Sequence, residues 1–523
     1  MRAPSSLPAR ATQRGAVLMV MLVILVMGAL TYLVNSLSTS AQKTARQEKT
    51  AEALAQAKEA LIGRAVADDN HPGSLPCPDL ITNTTSPILN IPNDGVADSL
   101  SGNECPSYIG WLPWKTLGLP DLRDGTGERL WYVLSRNFRD DNSNPINSDS
   151  SGALIVDGNI TISNIAAIVV APGAPLCGKS HNSNNVTDYL EAGDGTATTY
   201  NLKSFSDECN NFPYNDNLLA ITASQILPVT EKVVGKRVRD LLNASHAILG
   251  RFPFATPFSD PSASTFIATI GTYEGLLPGA TATWSAIPVF SLSGGSADVW
   301  CELKTGNNSL ANARARCNIS NIIGTPTITM TGILNYRGLW SEYDLANSAE
   351  VRAKIRGTSC ATPNPASGST VNCAATAVPG LNASINYSVN ADRSVTVTFT
   401  GTLFDGVAQI YLRDMVLDGR YDWITQNQWN RVMYYAASSG HAPNGANSCN
   451  PLPGAPPSCL KQNNSDNNQA VIIMTGSALT GQTHPQSSIA HYLEGENATP
   501  ADFIYENKAR TNTFNDQVIV VAP

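Results

Sequence analysis

Hydrophobic and polar positions divide this chain into stretches of very different texture. From Ala16 to Val34 no charge and no Pro interrupts an apolar run that holds a single Gly. As a helix, its 19 residues rise about 28 Å, enough for the hydrocarbon of a bilayer. Arg2, Arg10 and Arg14 precede it with no acid among them, so the pattern predicts a cytoplasmic N-terminus and an exported remainder. Residues 36–67 lack Pro and place Leu54, Leu61, Ile62, Ala65 and Val66 on one stripe. One helix is therefore expected from Ala16 to about Ala67, apolar all round at first and amphipathic afterwards, with Pro72 and Gly73 ending it.

Further on, β-branched and aromatic residues concentrate at Arg129–Ser135 and Ile165–Ala171, which predicts strands. Val233, Val234, Val238, Leu241, Leu242 and Ile248 predict a second helix over Val229–Leu249. Ile328 and Met330 alternate with polar neighbours. So do Ile385, Tyr387 and Val389, and, after a turn at Asn390–Arg393, Val395, Val397 and Phe399.

The pattern also repeats. AIVVAPGAPLCGKSHNSNNVTDYLE, residues 167–191, aligns without a gap on AVIIMTGSALTGQTHPQSSIAHYLE, residues 470–494, with eight identities. Arg129–Tyr132 follows the same order as Arg431–Tyr434 at an offset of 302, and Asn215-Asp216 matches Asn515-Asp516. Gly271-Thr272-Tyr273-Glu274-Gly275-Leu276-Leu277-Pro278 echoes the stretch that begins at Gly110. Leu75 lies 54 residues before Arg129 but Phe252 lies 179 before Arg431, so the second copy carries a β-rich insertion of about 125 residues, near 300–410.

Composition fits an exported body. Without residues 1–15, 31 basic side chains stand against 42 acidic ones, which argues against general nucleic-acid binding. Ten cysteines fall into five sequence-close couples: Cys77 and Cys105, Cys177 and Cys209, Cys301 and Cys317, Cys360 and Cys373, Cys449 and Cys459. Outside the cytoplasm these read as local disulfides, with nearest-neighbour pairing the simplest connectivity. No C-x-x-C supports zinc.

A basic leader ending Gln13-Arg14-Gly15, followed by Ala16-Val17-Leu18-Met19-Val20, resembles a type IV prepilin or a type II secretion pseudopilin. The resemblance implies cleavage after Gly15 by a prepilin peptidase and methylation of Ala16. In that family the fifth mature residue is mostly a Glu that pairs with a neighbour's N-terminal amine. Here it is Val20, as in large tip subunits and some minor pilins, and an apolar residue there implies a place at the filament tip. The series Leu75-Pro76-Cys77-Pro78-Asp79, Cys105, and Gly110-Trp111-Leu112-Pro113-Trp114 looks like a group of large bacterial pilin-like secretion proteins. An uncleaved anchor, or a signal peptide cut near Ala41, are the competing readings of the leader.

Candidate chemistry is sparse. There is no H-E-x-x-H, G-x-S-x-G, P-loop or Rossmann fingerprint. His181 and Glu191 recur as His484 and Glu494, either as a metal or acid/base site or as a loop-capping pair. Asp79, Asp94, Asp98 and Glu104 are weak calcium candidates, as is Asp121–Glu128, and no other cofactor is implied. Trp111, Trp114, Trp131 and Trp429 read as core residues.

Together these readings predict an α+β protein. A leader (1–15) and a membrane-spanning half-helix (16–35) precede two duplicated pilin-like helix-plus-antiparallel-sheet modules (36–228 and 229–523). The expected function is a non-enzymatic minor or tip subunit of a type IV pilus or type II secretion pseudopilus, acting in initiation, secretion or adhesion. Its expected partners are other pilin or pseudopilin subunits, prepilin peptidase and the inner membrane. The expected location is the bacterial inner membrane, single-pass with a periplasmic body, then the cell surface or filament tip. The alternatives are a permanently anchored envelope adhesin and, third, an anchored envelope hydrolase.

Overall fold

The computed structural model describes residues 14–80, 91–249 (except 184, 208, 210 and 211), 252–258, 272–278, the strands within 281–413, 422–442, 448–449, and 459–523 (except 464, 500 and 501). Side chains of 14–20, 28–39 and most of 281–413 lie outside that description.

Helix α1 runs Arg14–Ala67. Its C-terminal half turns Ala53, Leu54, Ala57, Leu61 and Ala65 inward. It stops where Gly73, at φ +101°, donates its N–H to the Ala65 carbonyl at 2.7 Å. The first sheet contains β1 (Ile109–Trp111), β2 (Trp131–Leu134), β3 (Leu154–Asp157), β4 (Ile162–Ala171), β5 (Thr199–Asn201) and β6 (Asn217–Thr222). A short helix α2 (Val186–Tyr189) precedes β5. The sheet order is β1-β2-β4-β3-β5, with β6 also on β4.

Helix α3 (Ala223–Leu249) follows β6 directly and so begins six residues before the predicted Val229. Pro228 lies near its start, where a missing N–H unpairs one carbonyl without stopping the helix. After α3 comes β7 (Glu274–Leu276). The insertion then forms a nine-stranded sheet. Its strands are β8 (Thr281–Trp284), β9 (Val289–Lys304), β10 (Arg314–Arg337), β11 (Glu350–Ile355), β12 (Thr358–Pro363), β13 (Ser369–Ala374), β14 (Asn382–Val389), β15 (Ser394–Thr402) and β16 (Gly406–Arg413). The predicted turn at 390–393 lies outside the described residues, between β14 and β15.

The chain returns through α4 (Asp422–Gln426) to β17 (Met433–Ala437). It continues through β18 (Leu460–Gln462), β19 (Ser465–Asn468), β20 (Ala470–Met474), β21 (Ile504–Tyr505) and β22 (Gln517–Ala522). The order β7-β17-β20-β22 repeats β1-β2-β4-β6. Leu134 faces Ala167 across β2 and β4, as Ala437 faces Ala470 across β17 and β20. The buried Tyr132 hydroxyl donates to the Pro76 carbonyl at 3.1 Å, and that of Tyr435 to the Pro253 carbonyl at 2.9 Å. Tyr132 therefore corresponds to Tyr435, one residue beyond the Tyr434 assigned from sequence. The correct offset on this strand is 303, because a slip of one turns every side chain to the wrong face.

The two duplicated sheets are each buried on both faces. A helix covers one, with Leu61 and Ile226 on the first sheet and Val234 and Val238 on the second. Loop residues cover the other, including Tyr189 and Leu190 on the first sheet and Tyr492 and Leu493 on the second.

Two expectations are overturned. The predicted α+β architecture built on a membrane-spanning helix gives way to a mixed α/β fold made mostly of strands. Among the described residues no helix is long and apolar enough to cross a membrane, which removes the 16–35 span and the single-pass inner-membrane placement with it. The physical reason lies along α1. From Ser40 onward Lys43, Arg46, Glu48 and Lys49 interrupt any apolar run along its described side chains. Four disulfides, Cys77–Cys105, Cys177–Cys209, Cys301–Cys317 and Cys449–Cys459, fit an oxidising compartment. The side chains of Cys360 and Cys373 lie outside the described residues.

Candidate functional site

Two features have the build of functional elements: the upstream part of α1 and a side-chain cluster present in both copies. Along α1, every residue from Met21 to Met27 is exposed, from 48% at Val26 to 73% at Leu25. Seven consecutive positions cover all directions around a helix, so no one-sided contact could hide them. Gly15, Ala16 and Val20 sit in the first turns of this helix, with side chains outside the described residues.

The duplicated cluster joins the Tyr-Leu-Glu loop to the last strand of each sheet. In the first copy Asp216 Oδ2 accepts the N–H groups of Glu191 and Ala192 at 2.6 and 2.7 Å. Glu191 Oε2 accepts the Asn215 N–H at 3.4 Å, and its Oε1 takes Lys179 Nζ at 3.3 Å. Asn215 Nδ2 donates to the Ala174 carbonyl at 2.7 Å, across Gly173, whose φ of +72° and closeness to the amide leave no room for a Cβ.

The second copy repeats this closely. Asp516 Oδ2 accepts the Glu494 N–H and the Asn497 amide, both at 3.0 Å. Glu494 accepts the Asn515 N–H at 3.0 Å and the Gln482 amide at 2.7 Å, and Asn515 reaches the Ser477 carbonyl across Gly476. Burial, then the charge of Glu191, pushes Asp216 up to about 8; burial and Glu494 do the same to Asp516. Oδ1 of each aspartate has no hydrogen-bond partner among the described residues, so a proton there is what neutral water leaves in place.

The repeated histidines take a structural position. His181 stacks on Tyr189 at 4.6 Å with Nδ1 3.4 Å from Glu128, and His484 stacks on Tyr492 at 4.5 Å. Both oxygens of each Glu are engaged by internal donors, so Glu191 and Glu494 cap loops. Sequence reading missed Asp216 and Asp516 as members of this cluster, although the recurring Asn-Asp pairs marked their positions.

The calcium candidates divide. Asp79 accepts the N–H groups of Asn93 and Gly95, each at 2.7 Å, while Asp98 accepts that of Leu80 at 2.7 Å. Burial raises both to about 6, helped by the charges of Asp94 and, for Asp79, of Asp98. Glu104 lies apart: hydrogen bonds from Arg136 and Tyr108 hold it down at about 2. In the second loop Asp124 accepts from Thr126, Glu128 and Gly173, and Asp121 pairs with Arg123 and Arg129. Among the described residues no three His, Cys, Asp or Glu side chains converge as a metal would need.

Trp111 and Trp131 pack at 4.3 Å beneath Tyr189, and Trp429 is fully buried. A cleft of about 710 Å³ lies where the copies meet, lined by Asp68, Asp140, Asp141 and Trp423 among others. Its carboxylates are already paired, Asp68 and Asp140 with Arg64 and Asp141 with Arg139. Compared with known proteins, the chain matches no family model, no curated protein and no solved structure.

Proposed function

We propose that this chain is a non-enzymatic, pilin-like assembly subunit whose α1 helix packs lengthwise against the helices of other pilin or pseudopilin subunits. The observation that carries this reading is the exposed apolar shaft Met21–Val26, upstream of a half-helix already docked on its own sheet. Six consecutive residues exposed around the whole helix call for a surround of other helices, and like helices in a filament core supply one. The two helix–sheet units, 36–228 and 229–523, form the displayed body. Processing at Gly15–Ala16 and an apolar Val20 fit a subunit present in few copies at a filament tip.

The test is a charge on the shaft. Leu25→Asp should leave far-UV circular dichroism and thermal melting of the purified chain unchanged. It should remove the protein from the sheared filament fraction of producing cells, by at least about tenfold, since burying one unpaired carboxylate costs several kcal/mol. Undiminished recovery in that fraction would refute the assembly role.

One observation favours a second reading, a surface-binding protein. Trp300 on β9 and Ile323 on β10 are 59% and 71% exposed on the longest strands of the insertion. Deleting 289–413 should then abolish surface binding while leaving assembly intact.

A further inference from the structure

The two units part company at one end of the first sheet. Strand pairing sets Ile162 of β4 opposite Val156, and Ser465 of β19 opposite Gln462. It sets Tyr200 of β5 beside Val156, and Tyr505 of β21 beside Gln462. In the same register Asp157 corresponds to Asn463 and Leu202 to Asn507, and Phe212 precedes Asn215 as Asn512 precedes Asn515. Asp157 to Ile162 spans five positions, against two from Asn463 to Ser465. Tyr200 to Asn215 spans fifteen, against ten from Tyr505 to Asn515. The first unit thus has a longer β3–β4 turn and a longer loop after β5. Cys177–Cys209 ties that loop down, whereas Thr480 stands at the matching position of the second unit.

These additions carry large apolar side chains into water. Ile160 is 79% exposed, Phe205 71% and Phe212 80%, and Leu202 and Ile162 adjoin them at 43% and 39%. Where the second unit has a counterpart it is polar: Ser465 for Ile162, Asn507 for Leu202 and Asn512 for Phe212. Turn and loop meet. A Cβ on Gly158 would lie 3.2 Å from the Leu202 Cβ, and Lys203 Nζ sits 5.6 Å from the centre of the Phe212 ring. Phe212 also holds φ +50°, a conformation that suits the Asn of the second unit far better than a Phe.

We propose that this surface pairs two copies of the chain about a two-fold axis, first unit to first unit. Area, symmetry and charge select that occupant. At about 200 Å² per large apolar side chain, the five expose roughly 600 Å². Two copies would then bury roughly 1,200 Å², the lower end of specific protein interfaces. Because the second unit is polar at the matching positions, the contact cannot run from first unit to second and propagate. A patch that meets only itself closes at two. The rim holds exposed Lys203 with exposed Asp157 and Asp207. Mixed signs suit a self-complementary contact, where the lysine of each copy can face an aspartate of the other, and suit an anionic lipid surface poorly.

The surface lies clear of the exposed α1 shaft. Strand β4 runs about 30 Å from Ile162 to Ala171. Just beyond its far end Gly173 donates to Asp124, and the adjacent Gly125 donates to Thr50 of α1. Met21–Val26 lies further upstream still, so pairing stands or falls separately from the assembly role.

Sedimentation equilibrium of the full chain carrying Leu25→Asp, which silences the shaft, should show a monomer–dimer equilibrium that stops at twice the chain mass. Its Kd should be on the order of 10 µM, as suits a small interface. Phe205→Ser with Phe212→Asn should weaken pairing at least about thirtyfold, and Ile160→Asn at least about fivefold, with far-UV circular dichroism unchanged. Trp300→Ser, on the insertion, should leave it as it was. The chain with Leu25 intact should show the same dependence on Phe205 and Phe212. A monomer up to about 200 µM, a mass that grows past two, or pairing that survives the Phe205→Ser, Phe212→Asn change would overturn the proposal. So would a monomer that binds phosphatidylglycerol vesicles through these two rings, since the surface would then belong to a membrane.

Discussion

Replacing Asp216 and Asp516 together by Asn should stabilise the folded chain above neutral pH and leave it nearly unchanged near pH 4. Each aspartate is buried and raised from 3.8 to about 8, first by desolvation and then by a neighbouring Glu. The folded state therefore keeps a proton that the unfolded chain has already released. Stability should fall as pH rises from about 4 to about 8 and stop falling above that. A full shift of this size corresponds to at most roughly 6 kcal/mol per site at 1.36 kcal/mol per pKa unit, and relaxation of the site should bring it to about 2–4. Asn keeps the oxygen that accepts the loop N–H groups and puts an N–H where the aspartate holds its proton. Groups such as Asp141, held below the usual carboxylate range despite its burial by Ser143 and Arg139, change stability with pH in the opposite direction. The informative quantity is therefore variant minus parent, read from urea midpoints across the pH range. A difference that stays flat between pH 4 and pH 9 would show that these carboxyls are not the proton holders.

What the sequence revealed and what it hid follow physical lines. The duplication was legible because it rests on positions that tolerate few residues. Gly173 and Gly476 need positive φ beneath an Asn amide, and Tyr189 and Tyr492 each carry a stacked histidine. The strand register was misread by one residue, since Tyr434 and Tyr435 are both aromatic and both buried, and the strand pairing and the hydroxyl on Pro253 distinguish them. Local disulfides were legible from spacing in four of the five couples. The membrane span was misread because an apolar run records only that a segment avoids water, and not what covers it. The Asp216 and Asp516 sites stayed hidden for a related reason. A carboxylate is read as exposed until the fold shows both faces of its strand covered. The bridge from His484 to Asp149 joins residues 335 apart, and no local pattern could announce it.

The other large effect concerns two glycines that the duplication places at the same point. In β1, a Cβ on Gly110 would meet the backbone carbonyl of Asp79; in β7, one on Gly275 would meet that of Thr256. Neither carbonyl can swing aside as a side-chain end would. Each belongs to a bridge with two hydrogen bonds, between Asp79 and Trp111 at 3.0 and 2.8 Å and between Thr256 and Leu276 at 3.0 and 2.9 Å. Gly110→Ala and Gly275→Ala should therefore each break a bridge and cost on the order of 2–4 kcal/mol by overpacking and lost pairing. Gly63→Ala serves as the contrast. It lies in α1 with nothing within 4 Å of the new Cβ, so alanine should add about 0.5–1 kcal/mol through helix propensity alone. Of the two strand variants, Gly110→Ala should be the worse. Moving Asp79 also pulls its carboxylate from the N–H groups of Asn93 and Gly95, and with them the loop tied by Cys77–Cys105. Denaturant midpoints for the three variants test this order directly, and a Gly110→Ala chain within about 1 kcal/mol of the parent would mean that β1 can shift away from Asp79.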